Sequence, residues 1–190
     1  MCCGKPVKED EQLYCYDCKR KDHQFDRGYS VFEYDSVKLG LYRFKYAGRA
    51  EYAAFYAQMT VKNYGETIRR MKADFLLPVP LHTSRMRKRG YNQAEEFARQ
   101  ISDRIQVPVR TDVIKRKRNT AALKTMDAAQ RQNNLKNAFI ITANDVKLKT
   151  IIVIDDIYTT GATMDAIAGL LKKAGAASVY VLTVAAGKGF

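Results

Sequence analysis

Two adjacent carboxylates, Asp155 and Asp156, follow the apolar run Ile151-Ile-Val-Ile154 and lead into Ile157-Tyr-Thr-Thr-Gly-Ala-Thr163. Each part of this stretch has a chemical use. Carboxylates only accept hydrogen bonds, which suits them to the two hydroxyls of a vicinal diol. Gly161 lacks a Cβ and lets the backbone come close to a phosphate. Thr159, Thr160 and Thr163 add hydroxyl donors. With Ala162 they lie where a helix begins, so free N–H groups and the helix dipole favour an anion there. One such loop holds a ribose 5-phosphate, with acids for the diol and amides and hydroxyls for the phosphate. An ordinary helix start accounts for Thr-Gly-x-Thr alone. It does not account for two acids directly after a buried apolar run.

Cations and thiols form the other clusters. Arg85, Arg87, Lys88 and Arg89 crowd one short segment, and Lys115, Arg116, Lys117 and Arg118 another. Such runs are often solvated loops, but they also suit phosphate groups. Tyr91, beside Arg89, is either a stacking surface for a base or a core residue at a helix start. All cysteines, Cys2, Cys3, Cys15 and Cys18, lie within the first 18 residues. Cys15-Tyr-Asp-Cys18 has the C-x-x-C spacing of a zinc knuckle. A short segment with few aliphatic residues gains order from such a metal staple.

Alternating elements must position these groups. Asp74-Phe-Leu-Leu-Pro-Val79, Thr150-Ile-Ile-Val-Ile154 and Ser178-Val-Tyr-Val-Leu-Thr-Val184 read as buried strands. Asn92, with Glu95 three places on, opens a helix striped by Ala94, Phe97, Ala98, Ile101 and Ile105. Met164, Ile167, Ala168 and Leu171 stripe another, which Gly175 ends. Glu51 to Met71 reads as a helix, and the Ser30–Tyr34 and Leu39–Phe44 stretches alternate as strands or a hairpin would. Strands alternating with helices predict an α/β fold, a parallel sheet flanked by helices with ligands at the carboxyl ends of its strands.

The chain has 190 residues, enough for one domain with a small appendage. A net charge of +13 points to polyanionic partners, although a solubility surface also fits. No apolar run reaches the roughly 18 residues of a membrane span, and the polar start is not a signal peptide, so a cytoplasmic location is expected.

The 151–163 stretch resembles the phosphoribosyl pyrophosphate motif of type I phosphoribosyltransferases. Pro78-Val-Pro-Leu-His-Thr-Ser-Arg-Met-Arg-Lys-Arg-Gly-Tyr-Asn-Gln-Ala-Glu95 resembles the signature of the ComF family of competence proteins. Arg118-Asn-Thr120, Arg131, Asn134 and Ala138-Phe139 resemble that family's next block. The resemblance implies a type I phosphoribosyltransferase-like sheet spanning 29–190, with a small zinc-binding module over 1–28. It implies phosphoribosyl pyrophosphate on Asp155, Asp156, Thr159, Thr160, Gly161, Ala162 and Thr163, with Mg²⁺ on the pyrophosphate. Leu81, His82, Arg85, Arg87 and Arg89 become pyrophosphate-loop candidates. Lys115, Arg116, Lys117 and Arg118 fall to a mobile loop over the site or to a nucleic-acid backbone.

Zn²⁺ would sit on Cys2, Cys3, Cys15 and Cys18. The family's opening C-x-x-C-Gly is matched only in its second half, by Cys3-Gly4. Either the first cysteine falls before Met1 or Cys2 substitutes for it, and His23 is another fourth ligand. Leu123 and Met126 stand where the family carries Gln and Leu.

The function implied is DNA uptake in natural transformation, with single-stranded DNA and other competence proteins as partners. The alternative is a phosphoribosyltransferase acting on a nucleobase or other nitrogen acceptor, for which no base-binding segment is legible after Val184. A third reading keeps the site only to sense its ligand. The residues describe a binding site rather than a completed reaction.

Overall fold

The structure is a computed structural model that describes residues 3–5, 15, 18–19, 22–117 and 138–187. In chain order its elements are β1 (Arg27–Glu33), α1 (Tyr34–Tyr46), α2 (Tyr52–Met71), β2 (Phe75–Pro78), α3 (Thr83–Arg89) and α4 (Gln93–Ile105). Then come β3 (Ile114–Arg116), β4 (Phe139–Ile141), β5 (Thr150–Tyr158), α5 (Ala162–Lys173) and β6 (Ser178–Ala186).

Strands β1, β6, β5 and β2 lie side by side in that order, all parallel. Residues 108–110 extend the sheet beyond β2, where Leu76 N–H donates to the Pro108 carbonyl at 2.8 Å and Arg110 N–H to the Leu76 carbonyl at 2.9 Å. Strands β3 and β4 form a separate antiparallel pair. From β2 the chain runs outward to 108–110, then returns to the other side of β2 as β5. Such a reversal opens a crevice at the carboxyl ends of the two strands, where α/β sheets hold ligands.

Hydrophobic cores cover both faces, as a sheet buried between helices requires. Ile152 and Ile154 of β5 pack with Leu41, Phe44, Tyr56, Phe97 and Ile101 from α1, α2 and α4. Ile151 and Val153 pack with Met164, Ile167, Ala168 and Leu171 of α5, which is the stripe its sequence predicts. Phe25, Cys3 and Cys15 join this second core.

One expectation is overturned. Leu39–Phe44 is not a strand but part of α1. Its buried residues, Leu41 and Phe44, keep helical spacing, and Tyr42 and Arg43 between them are exposed. A Cβ on Gly40 would lie 2.6 Å from the Tyr56 hydroxyl, so the glycine marks where α1 meets α2. A short stretch with mixed periodicity yields to the packing available on that face.

Asn92 caps α4 as expected: its Oδ1 accepts from Ala94 N–H at 3.1 Å. Glu95, the other half of the anticipated capping box, is instead paired with Arg99. The Asn92 Nδ2 donates to the Val79 carbonyl at 3.0 Å, tying the helix start to the end of β2. Asn92→Ala removes both bonds from a buried position. It is expected to cost about 2 kcal/mol, lowering the melting temperature by roughly 4–8 °C in a thermal scan.

Candidate functional site

The two acids lie inside β5 rather than beyond its end. Asp155 pairs with Thr183 of β6, and the strand continues to Tyr158. Side chains alternate between the two cores up to Ile154, as a strand dictates. Past the acids that alternation has shifted, with Ile157 on the α1 side and Tyr158 on the α5 side. The Asp156 N–H donates to an Asp155 carboxylate oxygen at 2.8 Å.

Cations from separate elements converge on these carboxylates. Lys45, near the end of α1, brings its Nζ to 3.1 Å from Asp156 Oδ1, with both side chains largely buried. Arg116, ending β3, acts electrostatically on Asp155 and on Arg85 of α3. Burial, then the neighbouring Asp156 charge, push the Asp155 carboxyl up to about 7, while Lys45 and Arg116 pull the other way. Burial also disfavours the Arg116 charge. The site is a pair of acids in a low-dielectric setting, ringed by cations that an incoming polyanion would also meet.

The loop after β5 behaves as its sequence suggests. Thr159 and Thr160 are exposed, Gly161 takes a left-handed φ of 74°, and α5 starts at Ala162. A Cβ on Gly161 would strike the Tyr158 hydroxyl and approach His23 at 3.1 Å. The glycine thus serves a close approach on the protein side as well as a positive φ.

That approach joins the loop to the N-terminal segment. The buried His23 ring places Nδ1 3.0 and 3.1 Å from the two oxygens of Asp165, in the first turn of α5. Gln24 N–H donates to Asp165 at 3.0 Å. His23 stacks on Phe25 with centroids 4.7 Å apart, and its Nε2 lies 3.4 Å from the Tyr158 hydroxyl.

The ligand atoms of Cys3, Cys15 and Cys18 all lie within 4.8 Å of one another. Cys3 Sγ and Cys15 Sγ are 3.3 Å apart. Tetrahedral Zn²⁺ with Zn–S bonds near 2.3 Å brings sulfurs to about 3.8 Å, so these thiols fit three corners of such a site. Burial pushes the Cys3 and Cys18 thiols up, and neighbouring thiols push Cys18 further. A metal would therefore have to displace protons. His23 is engaged by Asp165 and is not in this cluster, and Cys2 lies outside the described residues.

The remaining expected residues fall as follows. Leu81 and His82 follow β2, and His82 caps α3, its Nδ1 accepting from Ser84 N–H at 3.3 Å. Arg85, Arg87 and Arg89 stand on α3, a short helix where a loop was expected. Lys115 and Arg116 belong to β3, Lys117 follows it, and Arg118 lies outside the described residues. So do Leu123, Met126, Arg131 and Asn134. Tyr91 is half-buried: its hydroxyl donates to the Phe44 carbonyl, and its ring lies 5.9 Å from that of Phe44. Sequence reasoning missed Lys45, which sits in a helix read as a strand and belongs to no motif.

Comparison with known proteins places this geometry in context. Residues 91–189 match the phosphoribosyl transferase domain. The chain is similar to competence protein F of Haemophilus influenzae, 28% identical, covering 94% of this chain and 80% of that protein. It is also similar to the DNA utilization protein YhgH of Escherichia coli O157:H7, 31% identical over the same shares. Competence protein ComFC of Bacillus subtilis is 30% identical, covering 96% of this chain and 75% of that one.

The raised Asp155 carboxyl has a consequence for stability. Its ordinary value is 3.8, and in the folded chain it is about 7. As pH rises between those values, the unfolded chain gives up a proton that the folded chain retains, so stability falls across that window and stays lowered above it. Asp155→Asn removes the charge. It is expected to raise the melting temperature at pH 8 by at least about 3 °C while changing it little at pH 4. An unchanged slope between pH 4 and 8 would remove Asp155 as the source.

Proposed function

The chain belongs to the ComF family of phosphoribosyltransferase-like proteins, and from that premise we propose that it binds phosphoribosyl pyrophosphate and single-stranded DNA in DNA uptake. The observation that carries the reading is the acid pair of β5 leading directly into the Gly161 turn and the start of α5, at the sheet's chain reversal. In this reading Asp155 and Asp156 accept from the ribose hydroxyls. Thr159, Thr160 and Thr163, with the N–H groups of 161–163, hold the 5-phosphate. The pyrophosphate points toward Leu81, His82, Arg85, Arg87 and Arg89, and Arg116 faces the same charge. Mg²⁺, when bound, would neutralise charge on the pyrophosphate, whose hard oxygen donors suit it.

Lys45 has its own role here. Its ammonium occupies Asp156 in the free protein. It balances one carboxylate until ribose hydroxyls replace that contact. Lys115, Lys117 and Arg118 are offered to a nucleic-acid backbone, where such contacts are sequence-independent and salt-sensitive. The relatives' names, competence protein and DNA utilization protein, support the DNA side of this reading. Other competence proteins are the corresponding protein partners. Among the described residues no helix is long and apolar enough to cross a membrane.

The match to a phosphoribosyl transferase domain also supports turnover as a second reading. A nitrogen lone pair would bond to ribose C1 while the C1–oxygen bond breaks, and pyrophosphate would leave with the bonding electrons. Cations near the departing charge would stabilise it.

Pyrophosphate release, followed with Mg²⁺ and a panel of nucleobases, ammonia and single-stranded DNA, separates the two. Asp155→Asn/Asp156→Asn is expected to abolish phosphoribosyl pyrophosphate binding by calorimetry. Release with one acceptor, lost in that variant, makes the protein a transferase. Binding without release leaves a binding or sensing protein, and no binding in the wild type sinks the reading.

The N-terminal segment is proposed to hold Zn²⁺ on Cys3, Cys15 and Cys18, with Cys2 or an outside ligand completing the site; the expected boundary between 28 and 29 falls inside β1, and Cys3, Cys15 and Phe25 share the core under α5. Elemental analysis of purified protein is expected to find stoichiometric zinc. Cys15→Ser/Cys18→Ser should lose it and melt lower. A metal-free wild type with an unchanged melt on chelator treatment would refute the module.

A further inference from the structure

A second cleft lies next to the acid pair. It measures about 310 Å³ and is lined by Tyr42, Lys45, Tyr46, Lys88 and Arg89. Lys45 belongs to both places, since it lines this cleft and reaches Asp156. We propose that the cleft binds one nucleotide unit of a single-stranded nucleic acid, with its base stacked on the tyrosine and Arg89 surface and its phosphate on Lys88. The proposal rests on the strand-binding part of the reading above and gives it a location other than the Lys115–Arg118 cluster.

The side chains are arranged for that ligand. Tyr42 and Tyr46 are 60% and 55% exposed, although large aromatic side chains usually find a core. They stand one turn apart on α1, with ring centroids 5.2 Å apart. Arg89 is already oriented: its Nη1 donates to Gln93 Oε1 at 2.7 Å and its Nη2 to the Tyr46 hydroxyl at 3.3 Å. The guanidinium carbon lies 4.9 Å over the Tyr46 ring, which leaves a flat cation-and-ring surface beside the exposed Tyr42. Among the described residues the lining holds three cations and no carboxylate.

Exposed rings interleaved with cations are how single strands are held, because every base has a face to stack and every link a charge. A duplex hides those faces in its own stack. Tyr91, the aromatic beside the basic run in sequence, is turned to the protein and bonded to Phe44, so Tyr46 takes the place that sequence proximity assigns to Tyr91.

The test is fluorescence anisotropy with a labelled short oligothymidine at several salt concentrations. Tyr42→Leu and Tyr46→Leu are expected to weaken binding about 5- to 100-fold with an unchanged salt slope, since stacking carries no counterion release. Lys88→Ala should weaken binding and flatten the slope of log affinity against log salt by roughly 0.7. Both tyrosines are exposed, so melting temperature should be retained. If Tyr46→Leu does not fold, Tyr42→Leu decides, and Tyr42→Leu should keep its affinity for phosphoribosyl pyrophosphate.

Wild-type strand binding that survives both tyrosine substitutions but fails in Lys115→Ala/Lys117→Ala overturns the proposal and leaves the functional reading standing. Absence of strand binding by the wild type overturns both. Displacement of the strand by free thymidine monophosphate at the strand's own concentration overturns the strand assignment and gives the cleft to a free nucleotide.

Discussion

Two neighbouring carboxylates within a largely buried strand are the constraint around which this molecule is organised. Like charges one residue apart in a poorly solvated setting repel, and burial adds to the cost of ionising either. The protein answers with cations from outside the strand: Lys45 from α1 against Asp156, and Arg116 from β3 beside Asp155. Neither cation reaches the acids unless its element is packed in place. Leu41 and Phe44 fix α1 against the sheet, so the core contacts of that helix also determine where its lysine ends. The antiparallel pairing of β3 with β4 holds Arg116, whose guanidinium also lies over the Phe139 ring.

The phosphate loop is constrained from the other side of the sheet. Gly161 lies against Tyr158 and His23, and Asp165 on the following turn holds His23 and the backbone of Gln24. The acidic side chain in the first turn of α5 suits the helix dipole, and here it also anchors a segment from the opposite end of the chain. Phe25 continues that segment into the core shared with Cys3 and Cys15. The thiol cluster and the loop are therefore joined by a continuous path of packed side chains.

Charge is distributed to match. The excess of +13 is not spread evenly: α3 ends in Arg87, Lys88 and Arg89, and β3 carries Lys115 and Arg116 at the same end of the sheet as the acids. Elsewhere cations are spent on the fold. Arg110 bridges Asp112 and Asp145, and Lys172 binds Asp26. These exposed pairs contribute little individually. The cations of α3 and β3 gather where polyanions would arrive.

The sequence by itself determined the parallel sheet, the helices at 52–71, 93–105 and 162–173, and the glycine turn that leads from β5 into α5. These depend on local rules: an apolar run too short for a helix, a stripe at 3.6-residue spacing, a glycine where φ must be positive. The three thiols were equally legible, because a C-x-x-C spacing already fixes two ligands near each other. Tertiary structure decided the rest. Leu39–Phe44 became a helix because the α1 face of the sheet needed one, and its mixed pattern did not resist. Lys45 became a partner of Asp156 across more than a hundred residues, and Tyr46 rather than Tyr91 became the exposed ring beside Arg89. His23 went to Asp165 instead of to the thiols. In each case the residue carries no local signature, since what it does is set by which distant element the core places beside it.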